Sequence, residues 1–253
     1  MAKKPKDPKS MTEQEMMKAL CEIDTPTITN VVATYPGDPL CLSIYNPWTM
    51  NWYTDNTLRC WYPEMGAVCG FAVTAVYSVP DPNFKPLNFM EVLDAIDKAP
   101  KPSIFVFEQR FPPEIANKVG LAGGNMTSKM MAVGAVGALS NGPSRDIQEI
   151  RPMGFQYVTR GICAGHGAQA IQAIQVPVHI AGMDVAPNEI IHMDENGAVK
   201  FPRDRLADVY RLAHELFSKE EVQVANVLKA KGKGMAALKK AMGSGDQYTS
   251  VKK

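Results

Sequence analysis

No two cysteines in this sequence are spaced C-x-x-C, and the five that occur, Cys21, Cys41, Cys60, Cys69 and Cys163, are scattered and odd in number. Neither a disulfide framework nor a structural zinc site is indicated, and reduced thiols are expected. Histidine is equally sparse. His166, His179, His192 and His214 show neither H-x-H nor H-E-x-x-H spacing, so a metal centre would have to rest mainly on carboxylates. An excess of one charge is also missing: 27 basic against 26 acidic residues leave a formal +1, so no broad basic field exists to hold nucleic acid. No apolar run approaches membrane-spanning length, and the opening MAKKPKDPKS is not followed by the apolar segment of a signal peptide. The expectation is a cytoplasmic, unprocessed chain without a membrane or nucleic-acid partner.

What is present is an ordinary globular composition, 45% hydrophobic and 21% charged over 253 residues, enough to bury one core without an internal repeat or a second-domain linker. Lysines gather near the start (Lys3, Lys4, Lys6, Lys9) and near the end (Lys229, Lys231, Lys233, Lys239, Lys240), where solvated, partly disordered ends are expected. MTEQEMMKALCEI and TITNVVATY read as two short N-terminal helices separated by Asp-Thr-Pro. From Pro36 to Met65 the chain is rich in Pro, Asn, Asp and aromatics, including Trp48, Trp52 and Trp61, without sustained periodicity. A long surface excursion is expected there, its aromatics serving as a lid, a subunit contact or local packing.

GAVCGFAVTAVYSV reads as a buried strand, PLNFMEVLDAIDKA as an amphipathic helix and PSIFVFEQ as the next strand, which makes a β-α-β unit. A second unit follows: a glycine turn at 120–124, a helix from about Met126 to Val133, and the strand AVGALSNG ending near Asn141. GFQYVTRG and VPVHIAGMDV read as strands, IIHMDENGAVKFP as a hairpin turning at Asn196-Gly197, and Arg203 to Leu228 as a long amphipathic helix. The alternation predicts a mixed α/β layered domain.

The stretch from Gly120 to Glu149 carries the chemistry. Glycines let backbone approach a ligand closely, and a helix starting at Asn125 to Thr127 offers free N–H groups to a carboxylate. Arg145 and Asp146 follow an apolar strand, where α/β proteins place ligands, in a turn that Gly142 and Pro143 are expected to tighten. Asp146 could bind a hard divalent ion, Glu149 could hold that ion's waters, and Arg145 could face oxygens that gain charge. The same string also suits a solvated helix start.

Gly124, twenty residues, Arg145-Asp146, two residues and Glu149 together resemble the signature of the RraA-like family and its 4-hydroxy-4-methyl-2-oxoglutarate/4-carboxy-4-hydroxy-2-oxoadipate aldolase branch. GFAVT at Gly70 to Thr74 is similar to the family's early Gly-x-Ala-x-Thr strand, and GMDVAPNEIIHMDENGAVKFP at Gly182 to Pro202 to its late segment. The resemblance spans roughly Asp24 to Glu220. It implies a layered α/β/β/α swivelling-type domain over 21–228, after a lysine-rich leader and helix start (1–20) and before a flexible basic tail (229–253). It further implies homotrimers or homohexamers with sites at subunit boundaries.

By the same resemblance, Gly124, Asn125, Met126 and Thr127 would hold a pyruvate carboxylate, Arg145 would contact substrate, and Asp146 would ligate Mg²⁺, or Mn²⁺ in its place. Glu149 would orient the ion's waters, and Glu220 of a neighbouring subunit's last helix would add a carboxylate. The implied activity is cleavage or decarboxylation of a small 2-oxo acid through a pyruvate enolate. Alternatives are a non-catalytic regulator that binds a ribonuclease, and another metal-dependent lyase, hydratase or isomerase acting on a sugar-derived acid. Three positions depart from the aldolase pattern: Asn125 and Asn30 replace commonly acidic residues, and Phe107-Glu108 replaces Asp-Gly. His192 and Asp194 are expected to be structural, and His166, between two glycines, is left outside the site because no partner for it is visible.

Overall fold

In the computed structural model, residues 5–35, 37–46, 48–49 and 51–242 are described; Lys3, Lys4 and the tail beyond 242 lie outside them. The chain opens with two helices, α1 (Glu13–Leu20) and α2 (Thr25–Val32). Their starts are written locally. Thr12 and Glu15 form a reciprocal capping box on α1, and Asp24 accepts the Thr27 N–H of α2 at 2.8 Å, with Pro26 in the first turn.

After β1 (Arg59–Cys60) the chain alternates through β2 (Val68–Ser78), α3 (Phe89–Lys98), β3 (Ser103–Arg110), α4 (Pro113–Ala116), α5 (Gly124–Ala132), β4 (Ala135–Ser144), α6 (Ile147–Ile150) and β5 (Gln156–Ile162). The remaining strands are β6 (Ala170–Ile174), β7 (Val178–Ile180), β8 (Met183–Val185), β9 (Ile190–Asp194) and β10 (Gly197–Phe201), before α7 (Leu206–Leu228) and α8 (Gly234–Met242).

One eight-stranded sheet runs β1-β5-β4-β3-β2-β9-β10, with β6 also paired to β2. Strands β2, β3, β4 and β5 are mutually parallel, as the two β-α-β units require, and the others join antiparallel. β2 is buried along almost its whole length because both of its faces are covered, so its residues are apolar on successive positions instead of alternating. Val73 and Ala75 face the side packed by α3 and α5, while Ala72 and Val76 face the β7–β8 hairpin. A third cluster binds α1, α2 and the first half of α7 to β9, β10 and the start of β2. This is the expected mixed α/β layering.

Several elements differ from their sequence reading. VPVHIAGMDV is not one strand but the β7–β8 hairpin, because Ala181 and Gly182 both take positive φ (48° and 88°) and reverse the chain. The last hairpin turns at Glu195-Asn196, one residue earlier than expected. Within the segment expected as a tail, Gly234–Met242 is helical. The Trp-rich excursion divides: Trp52 is buried and stacks on Tyr45 with 5.4 Å between centroids, whereas Trp48 is 86% exposed.

Candidate active site

β4 does not end in a tight turn at Gly142-Pro143, as its sequence suggested, but continues to Ser144. The expected turn is replaced by a bulge. Pairing with β5 shifts register between Ser140 and Pro143, and β3–β4 pairing stops at Phe107–Ser140. The Asn141 side chain then takes over the missing rung: its Oδ1 accepts the Gln109 N–H at 2.6 Å and its Nδ2 donates to Gln109 O at 3.2 Å. Ser140 Oγ donates to Phe107 O and accepts the Gly142 N–H. The strand's polar residues thus satisfy its own irregular backbone, and the bulge aims the next two residues across the sheet end.

Those residues are Arg145 and Asp146. Asp146 has left-handed backbone (φ 59°, ψ 33°), a conformation that short polar side chains tolerate better than most. Its Oδ2 accepts the Gly124 N–H at 3.1 Å and its Oδ1 accepts from Arg145 Nε at 3.3 Å. A Cβ at Gly123 would meet Asp146 Oδ2, and a Cβ at Gly124 would meet the Glu149 carboxylate. Only glycine lets the two carboxylates lie against the start of α5, and this cradle brings Asp146 and Glu149 onto Gly124, more than twenty residues earlier in the chain. The loop before α5 is fixed by Leu121 N–H to Pro143 O, Arg145 N–H to Ala122 O, and Ser144 Oγ to Ala122 O.

No side chain caps α5, so beyond Gly124 the Asn125 and Met126 N–H groups lack intrahelical acceptors and project into the cleft end of the helix. Thr127 does not serve this seat with its side chain. It is fully buried, its hydroxyl donating to Gly123 O at 2.8 Å and lying 2.8 Å from Tyr157 Oη. Burial pushes the Tyr157 phenol well above its ordinary range, so Tyr157 remains a neutral hydrogen-bond donor.

Arg145 and Asp146 form the wall between two open clefts. One, of about 250 Å³, is bordered by the glycine loop, Asn125, Met126, His166 and Gln169; the other, of about 850 Å³, by Trp61, Ile147, Glu149, Ile162 and Cys163. Both open beyond the carboxyl ends of parallel strands β3, β4 and β5, the position that favours ligands in such sheets. Partial burial raises the Cys163 thiol above its ordinary value, with Arg145 opposing that shift, so the group is a poor nucleophile. A separate cleft of about 360 Å³ between α2 and β10 is lined by Tyr35, Trp52, Tyr53 and Asp55, among others, but, among the described residues, by no Arg or Lys to receive a carboxylate substrate.

The donor set decides what ion would fit. No group of three or more His, Cys, Asp or Glu side chains able to hold a metal occurs among the described residues, which rules against a zinc-type cage there. One partly exposed carboxylate, Asp146, with the exposed Glu149 carboxylate beside it fits a hard cation that keeps most of its waters, the habit of Mg²⁺.

Residues 48–200, more than half of the chain, match the model of the RraA-like family, described as Aldolase/RraA. The chain belongs to the RraA-like family. A 123-residue stretch is 28% identical to Protein DlpA of Legionella pneumophila, covering 48% of this chain and 19% of that protein; the chain therefore matches about a fifth of the length of this curated relative. An uncharacterized protein of Pseudomonas syringae pv. tomato shares the fold at TM-score 0.63 and 20% identity, over 88% of this chain and 95% of that one. RraAS2 of Streptomyces coelicolor, described as an unusual member of the RNase ES inhibitor RraA protein family, does so at TM-score 0.60 and 18% identity, over 84% of this chain and 98% of that one. The RraA-like family includes both metal-dependent aldolases and non-catalytic ribonuclease inhibitors.

Among the family-implied site residues, Gly124, Asn125, Met126, Arg145, Asp146 and Glu149 stand together at these clefts. Glu220 borders neither: partial burial, then the nearby Asp24 carboxylate, raise its pKa above the usual range. Glu108, at one departing position, is buried and pairs with Arg110 at 2.7 and 2.9 Å while accepting the His179 N–H at 3.0 Å, a structural duty on the opposite sheet face. His192 and Asp194 are structural too, tied to Thr25 at 2.9 and 2.8 Å. His166, which no visible partner ties to the site in sequence, and Gln169, which belongs to no motif, both border the Arg145–Asp146 cleft. Their only signal was the flexible spelling Gly-His-Gly, because proximity comes from β4–β5 pairing and from the Gly120 N–H bonding Gly165 O at 3.0 Å.

No helix among the described residues is long and apolar enough to cross a membrane.

Proposed function

We propose that this protein is a divalent-metal-dependent lyase that cleaves or decarboxylates a small 2-oxo acid through a pyruvate enolate. The observation that supports it is the cradle in which Gly123 and Gly124 admit the Asp146 and Glu149 carboxylates beside an uncapped helix start. Asn125 and Met126 N–H groups bind the substrate carboxylate, placing its keto oxygen towards Arg145 and Asp146. Asp146 holds the ion, Mg²⁺ or Mn²⁺, and Glu149 orients the waters around it. When bound, the ion supplies Lewis-acid polarisation of the 2-oxo group. The Arg145 guanidinium faces the oxygen that gains negative charge as the bond beyond C3 breaks. Cleavage and decarboxylation leave the same enolate, so one arrangement serves both. Assembly as a homotrimer or homohexamer, with Glu220 from a neighbouring copy completing the site, belongs to the same reading.

The competing reading is a regulator that binds a ribonuclease, in keeping with the inhibitors in the family. It gives no reason for two carboxylates to be held against a glycine step. The test is pyruvate release from oxaloacetate and from 4-hydroxy-4-methyl-2-oxoglutarate with Mg²⁺, Mn²⁺ or EDTA. EDTA-sensitive turnover that falls about 10³-fold or more in Asp146→Ala, several kcal/mol of barrier, is expected. A folded Asp146→Ala protein with full activity would sink the site, and absence of turnover with every ion would favour the regulator or a sugar-derived acid substrate.

A further inference from the structure

We infer that His166 is a catalytic residue, the base that takes the proton from the substrate hydroxyl when a 4-hydroxy-2-oxo acid is cleaved between C3 and C4. The inference rests on the metal-enolate reading above and adds the proton acceptor it lacks. Three features carry it.

First, of the described side chains bordering the 250 Å³ cleft, only Arg145, Asp146 and His166 are ionisable. Arg145 is a hydrogen-bond donor with no acceptor site. Asp146 is engaged by Arg145 Nε and the Gly124 N–H and, in the reading above, by the ion. Asn125 and Gln169 cannot take a proton. The imidazole is left as the one group on this side that can accept one without vacating a position at the ion.

Second, the ring's tautomer suits a base. His166 Nδ1 lies 2.8 Å from Gly167 O; a carbonyl only accepts, so Nδ1 carries a hydrogen, and in the neutral ring the lone pair is then on Nε2. The loop is fastened to the glycine turn through Gly120 N–H to Gly165 O at 3.0 Å, so the imidazole is carried by the same backbone that seats the substrate.

Third, the side-chain oxygen of Gln169 is shielded from solvent without a hydrogen-bond partner, and the residue borders the same cleft. A buried polar group left unpaired is costly, and a ligand that hydrogen-bonds this amide removes the cost.

The step balances without a further reagent. The O–H pair becomes the second bond of the C4 carbonyl, the C3–C4 pair becomes the C2–C3 double bond, and the C2 carbonyl pair moves onto the C2 oxygen. The proton remains on His166 until it returns to C3 to give pyruvate. Decarboxylation of oxaloacetate has no hydroxyl to deprotonate, so the two reactions depend unequally on the imidazole.

The experiment measures, in the wild-type holoenzyme and in His166→Gln, metal-dependent cleavage of 4-hydroxy-4-methyl-2-oxoglutarate and decarboxylation of oxaloacetate. The expected result is a fall of about 10²-fold or more in kcat for cleavage with a much smaller fall in decarboxylation, so that their ratio drops. Equal losses, or no loss, in a folded variant overturn the assignment while leaving the metal-enolate reading intact; wild-type inactivity on both compounds overturns the two together. A readout independent of turnover is the long-range ¹H–¹⁵N spectrum of the metal-free protein, with the His166 ring assigned by its absence in His166→Gln. It should show a protonated Nδ1 and a bare Nε2, and a dominant Nε2–H form contradicts the inference.

Discussion

A single methyl group is enough to test the carboxylate cradle. Gly124→Ala puts a Cβ where the Glu149 carboxylate lies; because that exposed side chain can swing aside, the variant is expected to lose less than about 1 kcal/mol of stability but most of its turnover. Adding Glu149→Ala should return part of the stability and none of the activity. A double-mutant cycle by thermal denaturation and pyruvate release reads both, and simple additivity in stability would show that the two positions do not touch. At this scale Arg145, Asp146 and Glu149 were legible because their spacing is local and fixed by one strand end. His166 and Gln169 were not, because their place depends on a parallel pairing and on one backbone bond between loops some 45 positions apart (Gly120 and Gly165).

Among the elements, α5 is the one whose position the chemistry depends on most, and a buried pair of hydroxyls fastens it to β5. Thr127 donates to Gly123 O, so Tyr157 donates to Thr127. The two ends of this relay are unequal. Tyr157→Phe removes one donor and leaves Thr127 satisfied, at an expected cost of about 1 kcal/mol; Thr127→Val strands a buried phenol and loosens the helix start, costing about 1–3 kcal/mol. Chemical denaturation of both variants checks the order, and a larger loss in Tyr157→Phe would refute it.

The β-α-β alternation and both N-terminal helices could be read because their periodicity and caps are local. β6 could not: AIQAI is short, and it becomes a strand only because the second half of β2 offers it an edge. The β7–β8 reversal rests on Ala181 adopting positive φ, which no alanine in a sequence announces.

For the whole molecule, acid should weaken the fold. His192 is fully buried, donating from Nε2 to Leu20 O at 3.0 Å and accepting from the Thr25 hydroxyl on Nδ1, so neither nitrogen has room for a second proton. Burial holds its pKa below the ordinary 6.5, and burial does the same for His214. The neutral rings therefore stabilise the fold fully above about pH 6.5, and this contribution is lost as pH falls below it, because the unfolded chain binds the extra protons. For each ring the slope approaches about 1.4 kcal/mol per pH unit. Tm recorded from pH 7.5 down to 5 should fall, and His192→Gln should flatten that fall; an unchanged slope would mean that the ring is not buried neutral.

Assembly is the other whole-molecule test. Beyond Leu216, α7 buries no residue among those described, yet Val224 and Leu228, one turn apart, are 56% and 61% exposed. If a neighbouring copy covers this end, sedimentation should give a trimer or hexamer, and Val224→Lys with Leu228→Lys should dissociate it. A wild-type monomer would refute that arrangement. The layered core was legible from patterning alone, whereas the order of strands across the sheet was not, since pairing between distant segments leaves no local trace.

That order bears on how the chain is made. The first half of β2 pairs with β9, whose residues lie about 120 positions later, Phe71 meeting Ile190. The glycine loop, Asp146 and Glu149 thus leave the ribosome well before the first half of β2 gains its second neighbour. Until Asp194 has emerged, a nascent chain presents an apolar, half-unpaired β2 edge beside an otherwise assembled parallel core, the kind of surface that recruits a chaperone or another unfinished copy.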